Sequence, residues 1–220
     1  NVESTYKNQK KSAVEFIIET CKSSADHTDL CPTGPLTNIA LSLEKDPSIK
    51  KNIKEIVFMG GAAMCLGNTT PSAEFNIYVD PHAANIVLES GIPLTMMGLD
   101  VTHQVNVNSK IIKLMNKNKN KSSKFFGELM EFYTIFHKEL YETEETPLHD
   151  PCVIAYLLDP SIFSGKEVNV TVEENSELTR GETVVDWLGV TKRPANCFVM
   201  NEADDEKFFQ LLKDKLSLLP

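Results

Sequence analysis

The stretch IKEIVFMGG, residues 53–61, decides the fold class. It is apolar along most of its length and ends in two glycines, which is typical of a strand buried on both faces and followed by a tight turn. The next segment, DPHAANIVLESG (80–91), has helical spacing, and IPLTMMGLD (92–100) is a second apolar strand. Upstream, a short strand at 30–31 precedes a turn and a helical pattern at 36–46. Apolar strands that alternate with helices predict an α/β fold, with an open, mostly parallel sheet and helices on both faces.

The segments outside this core predict further helices and one hairpin. Residues 9–21 have the spacing of an amphipathic helix, and residues 106–145 indicate two helices around a Lys/Asn-rich connection. Residues 168–187 alternate in the manner of a β-hairpin near the C-terminus, and residues 205–219 form a last amphipathic helix. Because no internal repeat or long linker divides the sequence, we expect a single domain over residues 1–220.

Composition excludes several classes of partner. The chain has 22 basic and 31 acidic residues and a net charge of −9, which disfavours binding to nucleic acid or to anionic membranes. No apolar run approaches the length of a membrane span. The five cysteines include no CxxC pair, so they indicate reduced thiols. We therefore expect a soluble, cytoplasmic protein.

Several polar residues lie where the predicted strands end. Ligands of open α/β sheets bind beyond the carboxyl ends of the strands, and the glycine pair at 60–61 lies at such an end. In an extended segment Glu74 and Asn76 would point the same way, and Asn68 on the glycine loop could join them. A carboxylate and two amides offer the hydrogen bonds that a polyhydroxylated sugar needs. An equally open alternative is that Asn68 stabilises a turn and that Glu74 and Asn76 are surface loop residues.

A second candidate is the start of the helix in PLHDPCVIAYLLDP, residues 147–160. Spacing alone favours Asp150 as an N-cap, although a hard cation such as calcium would also use its carboxylate. His149 is either a packed or surface imidazole or a group for proton transfer near neutrality. The same ambiguity applies to Asp100 and its neighbours at 102–103.

One ordered set of motifs covers nearly the whole chain: CPTGPLTNIAL (31–41), EIVFMGG (55–61), GNTTPSAEFNIYVDPHAANIVLESG (67–91), LTMMGLDVTHQV (94–105) and PLHDPCVIAYLLDP (147–160), continued by ELTRGETVVDW (177–187) and RPANCFVM (193–200). Together these motifs resemble the inosine-uridine preferring nucleoside hydrolase family. The resemblance implies a Rossmann-like core and calcium-assisted hydrolysis of the N-glycosidic bond of ribonucleosides to ribose and a free base. It also implies a role in purine and pyrimidine salvage and a homo-oligomer, either a dimer or a tetramer.

The resemblance implies roles for individual residues. The backbone carbonyl of Thr33 and the carboxylate of Asp150 would bind calcium, and Asp150 would also contact substrate. Three catalytic residues, Asn68, Glu74 and Asn76, would hydrogen-bond the ribose hydroxyls. The fourth catalytic residue would be His149, which helps the base to depart, while Met59 and Phe75 would line the ribose pocket. The segment that closes over the base includes Tyr133, His137 and Tyr141, without a secure alignment.

The family's aspartate cluster, DxDxGxDD, does not occur in these 220 residues. In the family it supplies further calcium ligands and the base that activates water. We therefore expect the chain to be the C-terminal two-thirds of a nucleoside hydrolase, inactive in isolation and weak in calcium binding. The alternatives are a non-catalytic nucleoside- or ribose-binding module that lacks these aspartates, and a structural fragment without a ligand. The sequence leaves the base preference open among inosine, uridine, cytidine and guanosine.

Overall fold

The computed structural model describes residues 10–24, 27–141 and 145–220 of the chain. Its α-helices are α1 (Ala13–Ser23), α2 (Thr37–Lys45), α3 (Phe75–Val79), α4 (Pro81–Leu88), α5 (Leu99–Thr102), α6 (Ser109–Met115), α7 (Lys121–Tyr141), α8 (Pro151–Leu158) and α9 (Asp205–Ser217). Its strands are β1 (Thr28–Leu30), β2 (Ile53–Met59), β3 (Leu94–Met97), β4 (Asn106–Val107), β5 (Thr146–Pro147), β6 (Phe163–Val172), β7 (Thr183–Asp186) and β8 (Cys197–Ala203). Short 3-10 turns occur at Pro47–Asn52, Asn116–Asn118 and Pro160–Ile162.

The main sheet confirms the predicted α/β class. Within the described ranges it has six strands in the order β1-β2-β3-β8-β6-β7. The pairs β1–β2, β2–β3 and β3–β8 are parallel, whereas β6 pairs antiparallel with both β8 and β7. The β6–β7 pair is the hairpin that the alternating pattern predicts. A separate two-stranded sheet joins β4 and β5.

Helices cover both faces of the sheet, and strand β2 shows why its sequence is apolar throughout. Alternate side chains of a strand point to opposite faces. Ile56 and Phe58 belong to one buried cluster, which includes residues of α2 and α4, while Val57 and Met59 belong to a second, which includes residues of α8 and α9. Each face of β2 is therefore a core face, as expected for a parallel strand between two helical layers.

Local capping signals fix where the helices begin. Ser12 and Glu15 form a reciprocal capping box at the start of α1. Asp80 precedes Pro81 and accepts a hydrogen bond from the Ala83 amide, as predicted for the start of α4. Since α4 follows β2 and precedes β3, this cap helps to set the crossover between two adjacent parallel strands.

The cysteines and the helices have two further properties. All five cysteines are free thiols. Among the residues that the structure describes, none of the helices combines the length and apolar character needed to cross a membrane. The longest, α7, instead carries charged residues together with large exposed apolar side chains such as Phe125 and Phe132.

We predict that the glycine at position 165 is required for the contact between β6 and β8. A Cβ atom there would overlap the carbonyl oxygen of Val199 and lie 2.9 Å from Cα of Met200, both on the neighbouring strand. Because backbone cannot move aside cheaply, Gly165→Ala should lower the free energy of unfolding by about 1–3 kcal/mol. Urea denaturation of wild type and variant measures this change.

The matched control is Gly34→Ala, because a Cβ atom at Gly34 meets nothing within 4 Å. This variant should stay within about 0.5 kcal/mol of wild type. Equal losses of stability in the two variants would contradict the prediction.

Candidate active site

The glycine turn after β2 is closely packed. Gly61 has φ +88°, a conformation that favours glycine, and an added Cβ atom would lie 2.8 Å from Sδ of Met96. The Gly61 carbonyl oxygen accepts a hydrogen bond from the Leu99 amide at 2.8 Å. A Cβ atom on Gly98 would lie only 2.8 Å from that same oxygen. The turn therefore connects the carboxyl ends of β2 and β3 through backbone contacts that leave no room for side chains.

Glu74 is a buried N-cap beside this turn. Its side chain is 2% exposed. The carboxylate oxygen Oε2 accepts hydrogen bonds from the amides of Gly61 at 3.1 Å, Asn76 at 2.9 Å and Ile77 at 3.3 Å, and none of these three bonds reaches Oε1. The segment after Glu74 is the short helix α3, so our expectation of an extended segment was wrong. Burial also contradicts the alternative that Glu74 and Asn76 are surface residues.

Opposing effects act on the pKa of Glu74. Burial raises it above its ordinary value, because the charged form loses water. The backbone amides of Asn76, Gly61 and Ile77 lower it, since they donate to the charged form, and the charge of Asp150 raises it again. The net direction is upward.

Asn76 joins the ends of two adjacent strands. It is 7% exposed, and its Nδ2 donates to the carbonyl oxygen of Met59 at 3.1 Å and to that of Thr33 at 3.3 Å. The same nitrogen lies 3.3 Å from Sδ of Met59. The Asn76 side chain therefore brings the residues after β1 and at the end of β2 together.

Asn68 and Phe75 lie at the outer edge of this group, and both side chains are exposed. The Asn68 Oδ1 atom accepts a hydrogen bond from the Phe75 amide at 2.9 Å. This bond ties the glycine loop to the first residue of α3, so the predicted turn-stabilising role of Asn68 is present. The bond leaves the amide nitrogen of Asn68 for other contacts.

Thr33 and Asp150 line one cavity of about 390 Å³ between α8 and α9. Its other lining residues are mostly apolar: Pro151, Ile154, Ala155, Leu158, Phe208, Leu211, Leu212 and Lys215. Asn68, Glu74 and Asn76 do not line this cavity. They are connected to it through the Asn76–Thr33 hydrogen bond.

Asp150 occupies the N-cap position of α8, but its side chain makes no capping hydrogen bond. The interpretation that capping alone explains this aspartate was therefore wrong. Partial burial raises the pKa of Asp150. Its carboxylate is not used by the helix and can serve a ligand.

The oxygen atoms of Thr33 and Asp150 meet part of what a calcium site requires. Calcium takes six to eight oxygen ligands, including carboxylates and backbone carbonyls. The Thr33 carbonyl and the Asp150 carboxylate are of the right type, and they line the same cavity. Within the described ranges, no three His, Cys, Asp or Glu side chains come together in a way that could hold a metal ion. These residues therefore fit part of a calcium shell and do not complete it.

His149 is held beside the end of α5. Its Nδ1 lies 2.7 Å from the hydroxyl of Thr102, a residue with no exposed surface. The ring also packs edge-on against His103, with 5.6 Å between ring centroids. This arrangement fixes the orientation of the imidazole next to Asp150. Thr102 thereby acquires a role that the sequence alone left ambiguous.

The carboxylate of Asp100 accepts hydrogen bonds from backbone amides of the glycine loop. It accepts hydrogen bonds from the amides of Ala63 at 2.6 Å, Met64 at 2.8 Å and Cys65 at 3.0 Å. It therefore shapes the glycine loop and is not a candidate ligand. Although Cys65 is exposed as a residue, desolvation of its thiol and the charge of Asp100 raise the pKa of the thiol to about 12.

The sequence did not reveal that Thr183 supports the glycine loop of the site. Thr183, at the start of β7, is buried, and its hydroxyl bonds both the amide and the carbonyl of Ala62. The glycine in TRGET indicates a turn, but no local pattern shows that the next strand reaches a loop 121 residues away.

Of the residues expected to close over the base, Tyr133 packs against the second buried cluster. The side chains of His137 and Tyr141 lie outside the described residues.

Comparison with known proteins identifies a family of nucleoside hydrolases. A family model described as inosine-uridine preferring nucleoside hydrolase matches residues 1–210. The pyrimidine-specific ribonucleoside hydrolase RihA of Shewanella sp. (strain ANA-3) is 45% identical over 97% of this chain and 67% of its own length. An uncharacterized protein of Schizosaccharomyces pombe is also 45% identical, over 97% of this chain and 69% of its own length.

Solved structures agree with the sequence relatives. The purine-preferring ribonucleoside hydrolase from Gardnerella vaginalis superposes with a TM-score of 0.89 at 35% identity, covering 99% of this chain and 69% of that one. A plant nucleoside hydrolase gives a TM-score of 0.88 at 29% identity, covering 99% and 70%. The chain belongs to the inosine-uridine preferring nucleoside hydrolase family.

We predict that Glu74 makes stability depend on pH in one direction. Its folded pKa lies above the ordinary value of 4.5, so between these two values the folded state binds more protons than the unfolded state. The free energy of unfolding should therefore fall as the pH rises through this window. Relative to Glu74→Gln, wild type should lose stability as the pH rises above the ordinary pKa of 4.5 toward the raised folded pKa. Denaturant unfolding with a calcium chelator present measures the difference.

The control is Glu173→Gln. Backbone amides of Asn175 and Ser176 hold the pKa of Glu173 below its ordinary value, so its titration falls in more acid solution. The difference between wild type and this variant should stay flat over the same pH range. If the curve for Glu74→Gln is flat as well, Glu74 is not the titrating group.

Proposed function

We propose that this chain supplies the ribose-binding part of a calcium-assisted ribonucleoside hydrolase, which cleaves the N-glycosidic bond. The observation that carries the proposal is the connection of Glu74, Asn76 and Thr33 by hydrogen bonds, with Asp150 on the same cavity as Thr33. Polar side chains of this kind are costly to bury unless they are paired, and here they are paired mainly with backbone. Such an arrangement is rigid before a ligand arrives.

Sugar recognition is assigned to Glu74, Asn76 and Asn68. All three backbone donors meet Oε2 of Glu74, so Oε1 is the oxygen that we assign to the ribose hydroxyls. Asn76 and Asn68 would add amide groups beside it, with Met59 and Phe75 against the sugar ring. Glycoside cleavage passes through a state with oxocarbenium character. Fixed carboxylate and amide oxygens stabilise the positive charge that develops on the ring.

The metal role is assigned to Thr33 and Asp150. Bound calcium would lower the pKa of a water molecule and orient the sugar hydroxyls. The Asn76 side chain donates to the carbonyl oxygen of Thr33, so it holds in place the backbone that would face the ion. Asp150, free of a capping bond, would contribute its carboxylate to the ion and to the substrate.

Departure of the base is assigned to His149. A leaving base needs a proton donor nearby, and an imidazole titrates close to neutrality. The hydroxyl of Thr102 at Nδ1 and the packing of His103 hold the ring in one orientation. A fixed ring places its proton reproducibly, which is what general acid catalysis requires.

For the base we propose pyrimidines as the better substrates. The RihA relatives at 44–45% identity are described as pyrimidine-specific, whereas the purine-preferring structure is 35% identical.

The prediction is faster release of ribose from uridine and cytidine than from inosine and guanosine. Reducing-sugar assays of the complete protein on the four nucleosides in parallel measure it. Binding of ribose without any hydrolysis would instead favour the alternative of a non-catalytic ribose-binding module.

We predict that Asp150→Asn weakens the response to calcium. The variant keeps the size of the side chain but removes the negative charge that a hard cation prefers. It should lower kcat/KM by about a hundredfold, the scale of a lost transition-state contact, and raise the calcium concentration needed for half-maximal activity after chelation. Titration of the complete, chelated protein with calcium, followed by an assay of ribose release, measures both effects.

The matched control is Asp159→Asn at the other end of α8. Asp159 caps the following turn through the Ser161 amide, and asparagine caps equally well. This variant should keep the calcium response of wild type. An unchanged response in Asp150→Asn would remove Asp150 from the metal site.

A further inference from the structure

The hydroxyl of Thr183 bonds both polar backbone groups of Ala62. Its Oγ1 accepts from the Ala62 amide at 2.9 Å and donates to the Ala62 carbonyl oxygen at 2.6 Å. Thr183 is 4% exposed and Ala62 is 5% exposed. Buried backbone groups need partners, so this one hydroxyl fixes the peptide units on both sides of Ala62.

Ala62 follows directly on the residue that bonds the proposed ribose-binding carboxylate. The amide of Gly61 donates to Oε2 of Glu74 at 3.1 Å. The peptide unit that links Gly61 to Ala62 is the one whose N–H is bonded by Thr183. This peptide unit is joined at Cα of Gly61 to the unit whose N–H holds Glu74, so movement of Ala62 would displace the anchor of the carboxylate.

The same end of the hairpin also contacts the helix that Glu74 caps. Arg180 donates from Nη1 to the carbonyl oxygen of Tyr78 at 2.9 Å, and its guanidinium lies 5.3 Å from the centroid of the Tyr78 ring. Gly181 has φ +84°, and an added Cβ atom would lie 2.7 Å from Cα of Tyr78. Residues 180–183 thus contact both segments that Glu74 connects, namely the glycine turn and α3.

We propose that Thr183 is a positioning residue for Glu74, and that its hydroxyl keeps the glycine turn in the one arrangement in which Oε2 is anchored and Oε1 meets the sugar. This inference rests on the proposed ribose contact of Glu74. Thr183 itself touches neither substrate nor metal in this scheme. Its contribution passes through Ala62 and Gly61.

The test compares Thr183→Val, which keeps the shape and removes the hydroxyl, with Thr183→Ser, which keeps the hydroxyl. In the complete protein, Thr183→Val should lower kcat/KM by about tenfold, and Thr183→Ser should restore most of it. The exposed neighbour Val184 provides the control, since Val184→Thr should leave the kinetics unchanged. Equal losses in the valine and serine variants would overturn the proposal.

A double-mutant cycle separates positioning from a general loss of stability. If Thr183 acts through the carboxylate, Thr183→Val should change kcat/KM little in a protein that already carries Glu74→Ala. A full tenfold loss in that background would overturn the proposal, because the hydroxyl would then act independently of Glu74.

Amide hydrogen exchange gives a measurement that needs neither activity nor the Glu74 variant. Exchange at Gly61 and Ala62 should be faster in Thr183→Val than in wild type, Thr183→Ser or Val184→Thr. Unchanged exchange at Gly61 would overturn the positioning role. Faster exchange in a protein that cleaves no nucleoside would support the hold on the turn and refute the proposed function alone.

Discussion

The site depends on one buried carboxylate that is anchored at a single oxygen. Glu74 caps α3 and at the same time accepts the amide of Gly61, so it joins a helix start to a strand end. A buried carboxylate without donors would be strongly unfavourable, and three backbone amides meet this requirement. The same amides set the orientation of the group. The second oxygen then faces a defined direction without further support from side chains.

The parallel sheet supplies the rest of the arrangement. Since β1, β2 and β3 run in the same direction, the residues after each of them meet at one edge. Asn76 spans two of these ends through the carbonyls of Thr33 and Met59. Asp100 and Thr183 hold the intervening loop from two other elements. The candidate site therefore consists largely of backbone groups that hydrogen bonds from side chains hold in place.

Much of the fold and part of the candidate site were predictable from the sequence. The features that the sequence did not predict have physical causes. The apolar strand at 53–59, the cap at Asp80 and the terminal hairpin follow from short-range patterns, and the structure confirms them. Glu74 was predicted in an extended segment, because a helix as short as α3 is set by its cap and by tertiary contacts, not by periodicity. The role of Thr183 was invisible for a related reason, since its partner lies 121 residues away.

Three aspartates near the starts of helices show that residue type and spacing do not by themselves predict a role. Asp80, Asp100 and Asp150 all stand near the starts of helices, yet the first caps a helix, the second binds loop amides and the third makes no capping bond. Spacing alone predicts the same role for all three aspartates. Only the hydrogen-bond partners show which carboxylate remains for a ligand.

The crowding around Gly61 and Gly98 has a consequence for changing the substrate range by directed evolution. Side chains at these two positions would meet Met96 and the backbone of the turn itself, so libraries that vary them would consist mainly of misfolded proteins. Exposed positions on the same loop, such as Met64 and Leu66, carry no such restriction. Diversity placed there would change the exposed surface of this loop, while the backbone contacts that anchor the Glu74 carboxylate stay as they are.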